Sequence, residues 1–177
     1  MYCPGGSEVG TICPAGYYCP EGTGAPQRYA CPIGTYSSSL GLKNGSQCID
    51  CPVGHYCPDG SQNQPTVAPV PCPPGTYNPK TRVGFLLNCE PCPSGYACPR
   101  AGQHTYNDTC QEGYYCPNGT VSRSQYACPP GSYTNRTDLT RAEECTPCPR
   151  AKSCGWATGV KFNQWQVCQQ GHYCPLG

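Results

Sequence analysis

CPAGYYCPEGT (residues 13–23) returns as CQEGYYCPNGT (residues 110–120), and YACPIGTY (29–36) returns as YACPPGSY (126–133). The offset is 97 residues in both cases. Under it, Cys13, Cys19, Cys31, Cys48, Cys51 and Cys57 fall on Cys110, Cys116, Cys128, Cys145, Cys148 and Cys154. Self-similarity at fixed spacing marks an array of small units, none of which buries a core alone. It argues for a duplicated architecture rather than one active site.

Two kinds of element make up the rest of the chain. The short one, C-x-x-G-x-Y-C-P, carries cysteines six apart at 13/19, 110/116 and 168/174. The long one opens C-P-x-G-[ST]-Y and adds cysteines 17, 20 and 26 positions on, at 31/48/51/57, 72/89/92/98 and 128/145/148/154. The chain divides into the tail of a preceding repeat (1–12), a short module (13–30) and two long modules (31–71 and 72–109). A short module (110–127), a long one (128–167) and the start of a further short one (168–177) follow.

Each recurring residue has a mechanical task. Glycine three positions after the leading cysteine suits a turn that needs positive φ. Proline directly after cysteine restricts the backbone and discourages helix. Tyrosine five after the cysteine offers a broad apolar face to a neighbouring bridge while its hydroxyl stays wet. Position four holds Tyr17, Thr35, His55, Thr76, Tyr96, Tyr114, Ser132, Lys152 and His172. So permissive a slot is expected to be an exposed turn position.

Composition supplies the energetic frame. Nineteen of 177 residues are cysteine, while Ile, Leu, Val and Phe together number only 19. At roughly 25 cal/mol per Å² of buried apolar surface, so few aliphatic side chains cannot offset the ordering entropy of the chain. A net charge of +1 is not that of a disordered polyelectrolyte. Cross-links must stand in for the missing core, and a bridge closing about 15 residues contributes on the order of 3 kcal/mol. The expected fold is a small disulfide-rich repeat array: an elongated rod of stacked cysteine-rich modules with short β-hairpins and irregular turns, little helix and no single hydrophobic core.

Such cysteine density belongs to an oxidising compartment, which places the protein outside the cell or on its surface. Four of eight asparagines lie in N-x-Ser/Thr triplets, at Asn44, Asn107, Asn118 and Asn135. All four sit in polar spacers, where an N-linked glycan projects into solvent. Residues 1–12 contain no basic start followed by an apolar run, and no stretch approaches the roughly 20 apolar residues of a membrane span. For an extracellular protein, an interior segment of a longer chain is therefore expected. Tyr2-Cys3-Pro4 would then end an upstream element that holds the partner of Cys3.

Disulfide register is not deducible from spacing alone. A local register pairs Cys13–Cys19, Cys31–Cys48, Cys51–Cys57, Cys72–Cys89, Cys92–Cys98, Cys110–Cys116, Cys128–Cys145, Cys148–Cys154 and Cys168–Cys174. It is preferred because every element then holds an even number of cysteines and only Cys3 is left over. A rival register bridges the spacers, as in Cys19–Cys31 or Cys57–Cys72, and needs disulfides within CxxC.

The long element, CPxG[ST]Y running through CxxC into another CPxG, resembles the cysteine-rich repeats of TNF-receptor-like and ephrin-receptor-like ectodomains. Its version with interposed short elements resembles arrays in protist surface proteins. The resemblance implies small stacked modules used in adhesion, ligand display or extracellular fibres. CPRAKSC (148–154) departs from it, lacking both the turn glycine and the tyrosine. The cysteine spacing also differs from the usual TNF-receptor module, so no ligand-binding residues are carried over.

Catalytic and cofactor readings find little footing. The CxxC pairs at 48/51, 89/92 and 145/148 have the form of zinc knuckles, but the compartment and the cysteine density favour disulfides. His55, His104 and His172 occupy turn or spacer positions without a nucleophile beside them. Scattered charges leave no nucleic-acid footprint. No cofactor, metal or nucleic acid is expected, and the protein is read as non-enzymatic. Its expected partners are copies of itself or neighbouring repeats, N-linked glycans and other extracellular proteins. Trp156, Phe162 and Trp165 form the least repetitive stretch, read either as a local mini-core or as a contact for a neighbouring subunit. Val83-Gly84-Phe85-Leu86-Leu87 is the second apolar run, suited to a module junction or a protein contact. Function follows: a structural segment of a glycosylated extracellular rod or filament, with a ligand-binding receptor or adhesin ectodomain as the alternative.

Overall fold

The computed structural model describes residues 2–3, 10–58, 66–150, 152–154 and 166–168. The tryptophan segment 155–165 and Cys174 lie outside the described residues, as does His172. The described chain is a disulfide-rich array of seven two-stranded sheets, with four single-turn 3₁₀ helices and no α-helix among the described residues.

One turn recurs at the head of the described elements. In the element opening at Cys31, the Thr35 N–H donates to the Pro32 carbonyl at 2.9 Å, with Gly34 at φ +79° in the third position. This is the type II turn that the glycine spacing demanded. The two residues after the glycine form a short strand, which pairs antiparallel with the two residues just before the next leading cysteine. Thr35–Tyr36 thus pairs with Ile49–Asp50, and His55–Tyr56 with Val70–Pro71. The same register joins Tyr96–Ala97 to Asp108–Thr109, Tyr114–Tyr115 to Tyr126–Ala127, and Ser132–Tyr133 to Thr146–Pro147. Lys152–Ser153 pairs with Gln166–Val167, so the element that lacks the tyrosine keeps its hairpin.

Position four is therefore a strand position, not an exposed turn position. Tyr17 and Thr35 are buried there, and His55, Thr76, Tyr96, Tyr114, Ser132 and Lys152 are half-buried. The slot tolerates varied side chains because its constraint lies in backbone pairing, which every residue type but proline satisfies equally.

The chain clusters into two compact units. One comprises Met1–Pro73, Asn78–Glu90 and Ala101–His104; the other comprises Pro74–Tyr77, Pro91–Arg100 and Thr105–Gly177. Each is built by the same backbone exchange between successive elements. In the first unit, the Gly16, Gly34 and Gly54 N–H groups donate to the carbonyls of Ser37, Cys57 and Asn78, at 2.8, 2.9 and 2.7 Å. Their own carbonyls accept from Cys31, Cys51 and Cys72, each at 2.9 Å. In the second, Gly75, Gly95 and Gly113 donate to Cys98, Cys116 and Thr134. Gly75 and Gly113 accept from Cys92 and Cys128 in turn. Leading cysteines at 13, 31, 51, 72, 92, 110, 128 and 148 are 18 to 21 residues apart. That is the structural step: a short module contributes one and a long module two.

Between these backbone bonds lies a string of small apolar clusters. Tyr2 packs on Cys13 and Cys19, Tyr115 on Cys128 and Cys145, and Tyr133 on Cys148 and Cys154. In each case the tyrosine of one element covers the bridge of the next, as its position predicted. Leu42, Val83 and Leu139 are also buried and recur eleven positions into each long element. Leu139 is fully buried, against Cys128 and Cys145. Leu139→Ala should cost about 2–4 kcal/mol of unfolding free energy, read by denaturant titration with bridges intact. Leu87→Ala, at a site 95% exposed, should stay within about 0.5 kcal/mol of the parent.

Candidate functional site

Sixteen cysteines pair within their own elements: Cys13–Cys19, Cys31–Cys48, Cys51–Cys57, Cys72–Cys89, Cys92–Cys98, Cys110–Cys116, Cys128–Cys145 and Cys148–Cys154. Cα–Cα separations run from 5.7 to 6.0 Å, within the range a disulfide requires. Cys168 is disulfide-bonded as well, while Cys3 is a free, exposed thiol. The two members of each CxxC bond outward to different partners, so the knuckle sulfurs are not free thiolates.

Long and short elements part at the position six after the leading cysteine. Short elements place the partner cysteine there. Long ones place Ser37, Asn78 and Thr134, which are 1%, 0% and 2% exposed. Each side-chain oxygen accepts the N–H two residues on, from Ser39 at 3.1 Å, Lys80 at 2.9 Å and Arg136 at 3.0 Å. These are the local turns that Ser, Thr and Asn favour. Both polar atoms of the Asn78 side chain are engaged, since its Nδ2 donates to the His55 carbonyl at 2.9 Å. Sequence reasoning missed these residues. Aligning the elements at their common step of about 20 residues would have exposed them.

With the +6 position so occupied, the chain runs out to the +17 cysteine through a 3₁₀ turn, and the long elements differ there in surface chemistry. Gly45–Gln47 follows Asn44 and shares the Asn44-Gly45-Ser46 triplet, with the Ser46 hydroxyl donating to Asn44 Oδ1 at 2.6 Å. Leu86–Asn88 follows Phe85 and is apolar: Phe85, Leu86 and Leu87 are 59%, 51% and 95% exposed. Ala142–Glu144 is acidic. Of the apolar run 83–87, Val83 and Gly84 are buried, whereas Phe85, Leu86 and Leu87 stay at the surface. Since the equivalent turns fold with Ser, Gln and Glu, burial does not account for Phe85, Leu86 and Leu87.

Asn44, Asn107, Asn118 and Asn135 are all exposed. His104 is exposed too, and His55 lies in its strand with Nδ1 3.0 Å from the Val53 carbonyl. The clearest electrostatic arrangement surrounds the acidic turn. Arg136 holds Asp138 through two hydrogen bonds of 2.9 Å, which lowers the Asp138 pKa and raises that of Arg136. Glu144 accepts from the Thr140 N–H and hydroxyl, both at 2.8 Å, and these bonds depress its pKa. A depressed folded-state pKa stabilises above the ordinary glutamate value and loses that contribution as pH falls through the folded value. The Thr140 amide resonance should accordingly titrate with an inflection below the ordinary glutamate range, and its exchange protection should fall with it.

No family model matches the chain, and no curated protein matches it significantly.

Proposed function

We propose that this chain is a non-enzymatic structural segment of a secreted, N-glycosylated extracellular rod or filament. The observation that carries this reading is the element-to-element backbone exchange. Turn glycine and leading cysteine trade hydrogen bonds with the next element in both units, while each of the eight bridges with both cysteines among the described residues closes within its own element. Such a unit extends by repetition, because each step needs only its neighbour. Side chains are spent on bridges and turns, leaving the exposed 3₁₀ turns and the glycan acceptors as variable surface. Disulfide density supports an oxidising compartment, and no helix among the described residues is long and apolar enough to cross a membrane.

Electron microscopy of the oxidised protein, together with thiol counting, tests the reading. Extended particles whose length scales with the number of repeats, and no free thiol beyond Cys3, are the expected result. Globular particles, or bound metal with free thiols at the paired positions, would sink it. The exposed Phe85-Leu86-Leu87 turn favours a second reading, an ectodomain that binds a protein ligand. Its readout is retention of a partner by the parent protein and loss of that retention in F85S/L87S.

A further inference from the structure

One of the four glycan acceptors is closed by the fold itself. Asn118 is exposed, yet Thr120, whose hydroxyl completes the acceptor triplet, is only 1% exposed and donates to the Pro117 carbonyl at 2.5 Å. The intervening backbone is committed as well. Gly119 N–H donates to the Cys92 carbonyl at 2.8 Å, and the Thr120 carbonyl accepts from Cys98 N–H at 3.0 Å. Both partners flank the loop closed by Cys92–Cys98. In the Asn44 triplet, by contrast, Ser46 is exposed and its hydroxyl bonds only to Asn44 within the same triplet.

An acceptor motif that demands Ser or Thr at its third position is read through that hydroxyl. A hydroxyl buried and bonded as in Thr120 cannot be read without opening the turn. We infer that Asn118 is a folding-gated glycosylation site, modified before the Cys92–Cys98 loop closes over its triplet and refractory afterwards, whereas Asn44 remains open in both states. In the transfer, Asn118 Nδ2 bonds to the anomeric carbon of an oligosaccharide carried on a lipid pyrophosphate. The sugar–phosphate bond breaks, the lipid pyrophosphate leaves, and the amide proton passes to a base of the transferase. A glycan once added does not obstruct closure, because the Asn118 side chain faces solvent and the space beside Gly119 is open. The inference rests on the secreted, glycosylated reading above.

The test presents unglycosylated, oxidised full-length chain to a purified oligosaccharyltransferase and its lipid-linked donor, in parallel with the same chain reduced and alkylated. Site occupancy is read by peptide mass spectrometry. Asn44 should be modified to within about twofold in both forms, while Asn118 should rise on the order of tenfold or more in the reduced chain. The C92A/C98A variant, kept oxidised, should raise Asn118 selectively. Equal Asn118 occupancy in native and reduced chains overturns the gate while leaving the glycosylated reading intact. Failure of all four sites in the reduced chain overturns both.

Discussion

Gly54→Ala should lower the unfolding free energy by about 3 kcal/mol or more, with every bridge still formed. Gly54 sits at φ +76°, where a side chain costs roughly 1–2 kcal/mol. A Cβ there would also stand 2.1 Å from the Gly102 carbonyl oxygen, which is backbone and cannot rotate aside. Relieving the clash moves the turn that donates to Asn78 and accepts from Cys72, so strain and lost hydrogen bonds coincide. Gly22→Ala is the control. Its φ is +82°, but nothing lies within 4 Å of the added atom, and only the conformational cost of roughly 1–2 kcal/mol should appear. Denaturant unfolding under non-reducing conditions measures both, and amide exchange at Cys72 should quicken only in the Gly54 variant. Equal losses at the two sites would show that close approach contributes nothing.

Ser37→Cys should redirect a disulfide. Ser37 occupies, six residues after Cys31, the place that a partner cysteine fills in the short elements. There the equivalent pair Cys13–Cys19 spans 5.8 Å between Cα atoms. The new thiol would compete with Cys48 for Cys31. Closing 6 residues rather than 17 is favoured by about 0.9 kcal/mol on loop entropy alone. Most molecules should therefore carry a free Cys48 thiol, detected by alkylation and peptide mapping, with Cys51–Cys57 untouched. The Gly45–Gln47 turn loses its covalent anchor in those molecules. Persistence of Cys31–Cys48 as the sole bridge would mean that packing around the long element, rather than partner availability, sets the register.

How much was legible in the residues can be judged at particular positions. The turn at Gly34 was written in its spacing, because positive φ has one cheap occupant and the proline before it limits the alternatives. Tyr115 and Tyr133 were placed on neighbouring bridges for a similar reason: a large half-polar ring beside a disulfide has few other uses in a chain with so little aliphatic surface. His55 was misplaced, because side-chain variety at its position was read as exposure when it reflected backbone pairing. Leu42 and Leu139 left no mark in the sequence, and Val83 stood out only as one member of the apolar run 83–87, since one aliphatic residue per long element leaves no periodic signal within any window shorter than the repeat.

The boundary between the two sources of information is physical. Cysteine density, turn glycines and the 97-residue echo follow from covalent chemistry and steric limits, which act over a few residues and leave their mark in residue type. The exchange of N–H and C=O groups between successive elements, and the burial of Thr120 beneath the Cys92–Cys98 loop, depend on main-chain groups that every residue shares. Sequence carries no label for those partners, and only the folded chain brings them within hydrogen-bonding distance of one another.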